Sequence, residues 1–245
     1  VNAAISLLVG VALLLVWRRN LSLRFSRDLG WAFIVQSCAP AAFLLWRGAQ
    51  MPAQAVGGVT LVACAVAYLT LMIAGVAHLT RRPLSRRTLT ALVAGLVLLI
   101  GGSLSLQAQF AQGVTSTAHL VVALVAASWL WQRGRTERIA GGLLVLLACT
   151  HYGFALFGEA ALPAQASVAA VVRAALGLTL LFAALDQSSA ESQRLRENYR
   201  RMIENSHQGV AVFRGEQMLY ANPALLRIYG IADLAGAPAN WRNAT

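Results

Sequence analysis

The chain has 245 residues, 58% hydrophobic and 12% charged, with a mean hydropathy of +0.63. Soluble domains carry about 25% charged residues, so an ordinary soluble enzyme and a disordered chain are both excluded. The 20 basic residues outnumber the 9 acidic ones, for a net charge of +11, and every basic residue is arginine. Without lysine there is no amine for a retinal or pyridoxal Schiff base and no P-loop lysine. Cys38, Cys64 and Cys149 stand in apolar runs, and an odd number so placed argues against a disulfide framework.

A membrane-crossing helix needs about 20 mostly apolar residues. Seven stretches fit: Val1–Trp17, Gly30–Trp46, Val56–Leu79, Thr88–Phe110, Thr115–Trp131, Ile139–Phe157 and Gln165–Leu185. The expected fold is therefore an all-α polytopic membrane protein over residues 1–185. The first stretch is slightly short, as if trimmed at its outer end. It is not a cleaved signal peptide, because Arg18 and Arg19 follow the apolar run whereas a signal peptide has its charge in front.

The loops suggest an orientation. Arg18, Arg19, Arg24 and Arg27 fill the first loop, Arg81, Arg82, Arg86 and Arg87 the third, and Arg133, Arg135 and Arg138 the fifth. The alternate loops, 47–55, 111–114 and 158–164, contain only Arg47. Arginine-rich loops stay in the cytoplasm, so the N-terminus is expected outside and the C-terminus inside. Anionic headgroups then account for the net charge, and no nucleic-acid partner is implied. Trp17, Trp46 and Trp131 fall at span ends, where interfacial anchors belong. None of the outer loops is long enough for a folded extracellular domain, so a signal would be read within the bundle or at its outer mouth.

After Leu185 the composition turns polar. Leu181, Leu185, Ser188, Ser192, Leu195, Tyr199 and Met202 are spaced alternately four and three apart, an a/d heptad seam. The seam predicts a signalling helix over 186–204 that continues the last span and pairs with a second copy in a homodimer. Its two serines predict a weak coiled coil, suited to shifting between two packings. The alternative is a solvated surface helix with accidental spacing.

From residue 205 a short strand (209–213), a turn (214–217) and a second strand (218–221) are expected. A helix then opens with Asn222 as its cap and Pro223 at its first position. This segment resembles the start of a PAS domain. The residues that carry the resemblance are Tyr199-Arg200-Arg201-Met202-Ile203-Glu204, Gly209-Val210, Tyr220-Ala221-Asn222-Pro223-Ala224 and Tyr229-Gly230. The family implies an α+β domain of about 100 residues, so the sequence is expected to stop inside it, before the strands that line a PAS ligand pocket. Seven spans, a heptad helix and a PAS start together resemble the N-terminal half of a bacterial inner-membrane sensor. The resemblance implies a cytoplasmic output domain beyond the PAS domain, either a GGDEF or EAL module handling cyclic di-GMP or a histidine kinase core. No motif of these occurs in the sequence, so no catalysis is expected of this segment.

Ionisable groups within spans are costly and often mark function. Arg173 lies about 12 Å into the last span, His119 about 6 Å into the fifth, and His151 and Tyr152 about 8–9 Å from the outer end of the sixth, at 1.5 Å per residue. Glu159 stands just beyond that end, and Gln107 and Gln109 near the outer end of the fourth. These groups share the outer third of the bundle. They suggest a pocket for an anionic or polar small-molecule signal, with Arg173 supplying charge, His119, His151 and Gln107 hydrogen bonds, and Tyr152 and Phe154 stacking. The bland alternatives are an Arg173–Glu159 structural lock and a His119 lying in the headgroup layer. His119 and His151 could instead hold one b-type haem as the group of a membrane redox sensor. Thr150-His151-Tyr152-Gly153 is faintly similar to the repeated Met-His-Tyr-Thr element of copper-linked sensors. His78 beside Arg81 reads as interfacial. Pro40 is expected to kink the second span and open a cavity, with Gln36 and Cys38 serving freed backbone groups. A transporter would show internal repeats, and none is evident.

Overall fold

The structure is a computed structural model that describes residues 2–48, 50–82, 84–215 and 217–232, without the side chains of Ala108, Gln109 and Gln217. The expectations for Val1, Gln109, Glu216 and residues 233–245 fall outside it. The chain divides into two compact units, residues 1–186 and 187–245.

The first unit is helical. It contains α1 (Asn2–Arg19), α2 (Arg24–Gly48), α3 (Ala53–Leu79), α4 (Arg86–Ser103), α5 (Ala108–Leu130), α6 (Arg135–Thr150), α7 (Tyr152–Phe157) and a 3-10 turn (Gly158–Ala161). The long α8 (Leu162–Glu204) begins here and continues into the second unit. Among the described residues six stretches are long and apolar enough to cross a membrane, and the last of them, Arg135–Glu204, takes in α6, α7 and α8.

The outer surface of the helices is as apolar as the interior. Leu8, Leu44, Leu98 and Val171 are at least 70% exposed, while Leu13, Leu29, Phe33, Leu69, Leu130 and Leu176 are buried. In water such a surface would be a large liability; in lipid it is the natural exterior, and the helices satisfy their own backbone groups.

Lipid gives helices little hydrophobic reason to associate, so close packing of small residues does the work. A Cβ on Gly10 of α1 would stand 2.8 Å from the Gly30 carbonyl oxygen of α2, and one on Gly30 would stand 3.0 Å from the Gly10 carbonyl oxygen. The two backbones therefore touch. Ser26 adds a hydrogen bond from its hydroxyl to the Leu13 carbonyl at 2.7 Å. Gly177 of α8 sits so close to α1 that a Cβ there would meet Val9 at 2.4 Å.

The arginine-rich loops come together at one end. The Arg133 guanidinium donates to the Thr80 carbonyl, and Arg82 donates to Gln132 at 2.5 Å. Asp28, only 5% exposed, accepts from Arg27 Nε at 2.8 Å and meets His78 Nδ1 at 2.7 Å. His78 is therefore a partner of a buried carboxylate rather than a bare interfacial residue.

Two span boundaries differ from expectation. The fourth stretch ends at Ser103, and Phe110 belongs to α5, which starts at Ala108. The break falls after Gly101-Gly102-Ser103, where poor helix formers meet. The sixth stretch is interrupted at His151, and the 3-10 turn Gly158–Ala161 falls in the loop expected after it. Side chains satisfy the freed backbone groups: Ser116 donates to the His151 carbonyl at 2.9 Å, and Gln165 Oε1 accepts from the Phe154 amide at 2.9 Å.

In the second unit, β1 (Ala211–Arg214) and β2 (Gln217–Ala221) form an antiparallel hairpin before α9 (Pro223–Tyr229). Ala211 pairs with Ala221 and Arg214 with Gln217, with an irregularity between Val212 and Phe213. Asn222 is fully buried and organises the segment. Its Oδ1 accepts from the Leu225 amide, the N-cap bond, and from the Val210 amide. Its Nδ2 donates to the carbonyls of Ile203 and Gln208. One side chain thus ties the end of α8, the approach to β1 and the start of α9.

Candidate ligand site

The helices of the first unit line a partly open cavity of about 230 Å³. Its lining comes from every long helix of that unit, including Asn2 of α1, Gln36 and Pro40 of α2, Ala65 of α3, Ile100 of α4, His119 of α5, Thr150 of α6 and Arg173 of α8. Pro40 stands inside α2, where it removes a backbone donor, and it borders the cavity as expected.

Arg173, His119 and His151 all line this cavity. Arg173 is 6% exposed, and its Nε has no hydrogen-bond partner. No ion pair forms with it among the described residues. His119 and His151 lie face to face, with ring centroids 4.7 Å apart and planes inclined by 19°. Tyr68 continues the column, 5.6 Å from His119 and inclined by 25°. Each histidine is oriented from its own helix: His119 Nδ1 is 2.8 Å from the Thr115 carbonyl, and His151 Nδ1 is 2.9 Å from the Leu147 carbonyl. A carbonyl only accepts, so Nδ1 carries the hydrogen on both rings. Stacking buries His119, with 6% exposure, among neighbouring helices.

The remaining expected residues divide. Glu159 pairs with Arg47, which corrects the expected alternative of a lock to Arg173. The 3-10 turn carries Glu159 toward the end of α2, while Arg173 lies further along α8 and faces inward. Tyr152 donates to or accepts from Thr117 at 2.9 Å and borders a separate crevice with Leu99, Phe110 and Leu156. Its ring is one residue beyond the break at His151, which turns it away from the cavity. Gln107 is exposed and precedes α5 without a side-chain capping bond.

Gln112, Gln165, Asn2, Phe43 and Trp46 also line the cavity, and Phe43 meets Phe154 edge to face at 6.1 Å. Of these five only Trp46 stands out in the sequence, and as a span-end anchor, because glutamine and aromatic residues near span ends are ordinary. Asn2 donates to the Ala166 carbonyl at 2.9 Å, which leaves its Oδ1 buried with no partner.

A haem held by His119 and His151 does not fit this arrangement. Axial ligands point their ring edges at one iron from opposite sides of the macrocycle. Here the rings lie flat against one another, without a macrocycle's width between them. Among the described residues no group of three or more metal-ligating side chains gathers elsewhere.

A family model of the PAS domain matches residues 197–243. It covers the end of α8, the hairpin and α9, the segment that Asn222 holds together. Comparison with curated proteins and with solved structures gives no match. The chain therefore joins apolar helices suited to a membrane with a PAS segment, a module that points to signal sensing.

Proposed function

We propose that the chain is a transmembrane receptor of a bacterial inner membrane that reads a small molecule in the outer half of its helix bundle. On this reading it crosses the membrane seven times, with the N-terminus outside. The stretch Arg135–Glu204 has 70 residues, about 105 Å of helix at 1.5 Å per residue, ample for two crossings and a cytoplasmic extension. Its interruption between α6 and α8 supplies the turn between them. The paired meeting of arginine-rich loops at one end supports a cytoplasmic face there.

The observation that carries the proposal is Arg173. A buried guanidinium whose Nε has no acceptor is costly, it borders a cavity, and its helix runs unbroken to Glu204. A ligand that neutralises it acts directly on the helix leading to the PAS segment. The heptad face supports a homodimer: Leu185, Leu195, Tyr199 and Met202 are all more than half exposed in the single chain. The signal then passes to the PAS domain and to an output domain of the cyclic di-GMP or histidine kinase class.

Native mass spectrometry of the detergent-purified protein tests this reading. A bound small molecule in the wild type, absent from Arg173→Met, is the expected result. Disulfide crosslinking of Leu195→Cys in membranes should also differ between the two. Identical spectra and identical crosslinking would overturn the receptor.

A further inference from the structure

The cavity specifies the class of its ligand, an inference that rests on reading it as the receptor site. Among the described residues, Arg173 is the one charged residue in the lining, and no carboxylate borders the cavity to compensate it. A single negative charge neutralises this site, whereas a dianion would leave an excess charge in a medium of low polarity. Most of the rest of the lining is apolar, with Phe43, Trp46, Leu61, Leu104, Phe154 and Leu162 forming the walls. On the same lining, Asn2 Oδ1 is a buried acceptor without a donor.

We infer that the ligand is an amphipathic monoanion: a carboxylate on Arg173, with an apolar body along the wall that Phe43, Trp46 and Phe154 form. The two orphaned polar atoms differ in kind. Arg173 Nε needs an acceptor and Asn2 Oδ1 needs a donor, so a ligand hydroxyl that reaches Asn2 adds a bond to the one made at Arg173. An alcohol of the same chain length brings the apolar body without the charge and leaves the guanidinium unpaired.

The test is thermal unfolding of the full chain in phosphatidylcholine nanodiscs, followed by tryptophan fluorescence. The probes are decanoate, decan-1-ol and succinate. Decanoate should raise the midpoint saturably, as any ligand selective for the folded state does. Decan-1-ol and succinate should give no saturable shift. In Arg173→Met, affinity for decanoate should fall by about tenfold or more, the scale of one charge-assisted hydrogen bond. Arg173→Lys retains the charge and should keep part of the response.

Without ligand, Arg173→Met should unfold at a higher temperature than wild type, because it removes a buried unpaired charge. If it instead unfolds earlier or fails to fold, Arg173 is structural and the receptor reading falls with the ligand class. If succinate acts through Arg173 and decanoate does not, the class is wrong and the site stands. An equal decanoate response in wild type and Arg173→Met means partition into lipid, and overturns the inference. Replacing phosphatidylcholine with phosphatidylglycerol tests a lipid headgroup as the anion. An Arg173-dependent gain from that exchange, with none from decanoate, overturns the free carboxylate.

Discussion

Single residues decide most where all their polar atoms are used. Asn222 makes four side-chain hydrogen bonds and has no exposed surface. Loss of an N-cap alone costs about 0.5–2 kcal/mol, and orphaned buried partners add about 1–3 kcal/mol. Asn222→Ala should therefore abolish amide-exchange protection across 203–226 while leaving α1–α6 protected. Asn222→Asp keeps the two accepted bonds and loses the two donated ones, so it should fall between. Asp28 is the counterpart in the membrane unit. It is buried, but Arg27 and His78 are each 41% exposed at the side chain, and solvent screens the pairs. Asp28→Ala should lower stability by about 1–3 kcal/mol, read as an earlier midpoint in detergent. At the histidines, the facing rings predict a purified protein with no Soret band before or after dithionite. A Soret band lost in His119→Ala would overturn that geometry.

At the scale of elements, contact between helices depends on small residues, and the shared face of α8 depends on spacing. Gly30→Leu forces a side chain into the Gly10 backbone and Leu14, and overpacking of this kind costs about 1–3 kcal/mol or more. The expected readout is an earlier unfolding midpoint, with Gly95→Leu as the control, since a Cβ at Gly95 meets nothing within 4 Å. For α8, cysteine at Leu195 or Tyr199 should give disulfide-linked dimers in membranes once Cys38, Cys64 and Cys149 are replaced. Cysteine at Glu197, off the seam, should not. Crosslinking at Glu197 alone would leave α8 a solvated helix of accidental spacing. Element types were legible in the sequence because a run of apolar residues near 20 long has few alternatives in lipid. The breaks were less so: Leu104–Gln107 and His151 interrupt apolar stretches whose composition continues across them. Only the partners that satisfy the freed backbone, Ser116 and Gln165 for the second break, make the interruption tolerable.

At the scale of the whole molecule, charge distribution predicts orientation. In a cysteine-free background, Gln50→Cys should react with a membrane-impermeant thiol reagent on intact cells. Ser85→Cys and Gln132→Cys should react only after permeabilisation, because both lie with the arginine-rich loops. The reversed pattern would invert the topology. Charge is legible without a structure because positive residues are retained on one side irrespective of how helices pack.

Hydropathy alone determined that this chain carries helices fit for a membrane, and the Tyr-Ala-Asn-Pro-Ala run pointed to the PAS segment. Both are local properties: a helix in lipid satisfies its own hydrogen bonds, and a capping asparagine acts within a few residues of itself. Depth along the spans also brought Arg173, His119 and His151 to one level. Which of the polar groups at that level share a cavity was decided by tertiary structure. Rotation of each helix about its axis is set by packing against its neighbours. That rotation pointed Arg173 and the two histidines inward, gave Glu159 to Arg47, and turned Tyr152 toward Thr117. It also left the Nε of Arg173 without an acceptor, a fact about its surroundings that no position in the sequence records.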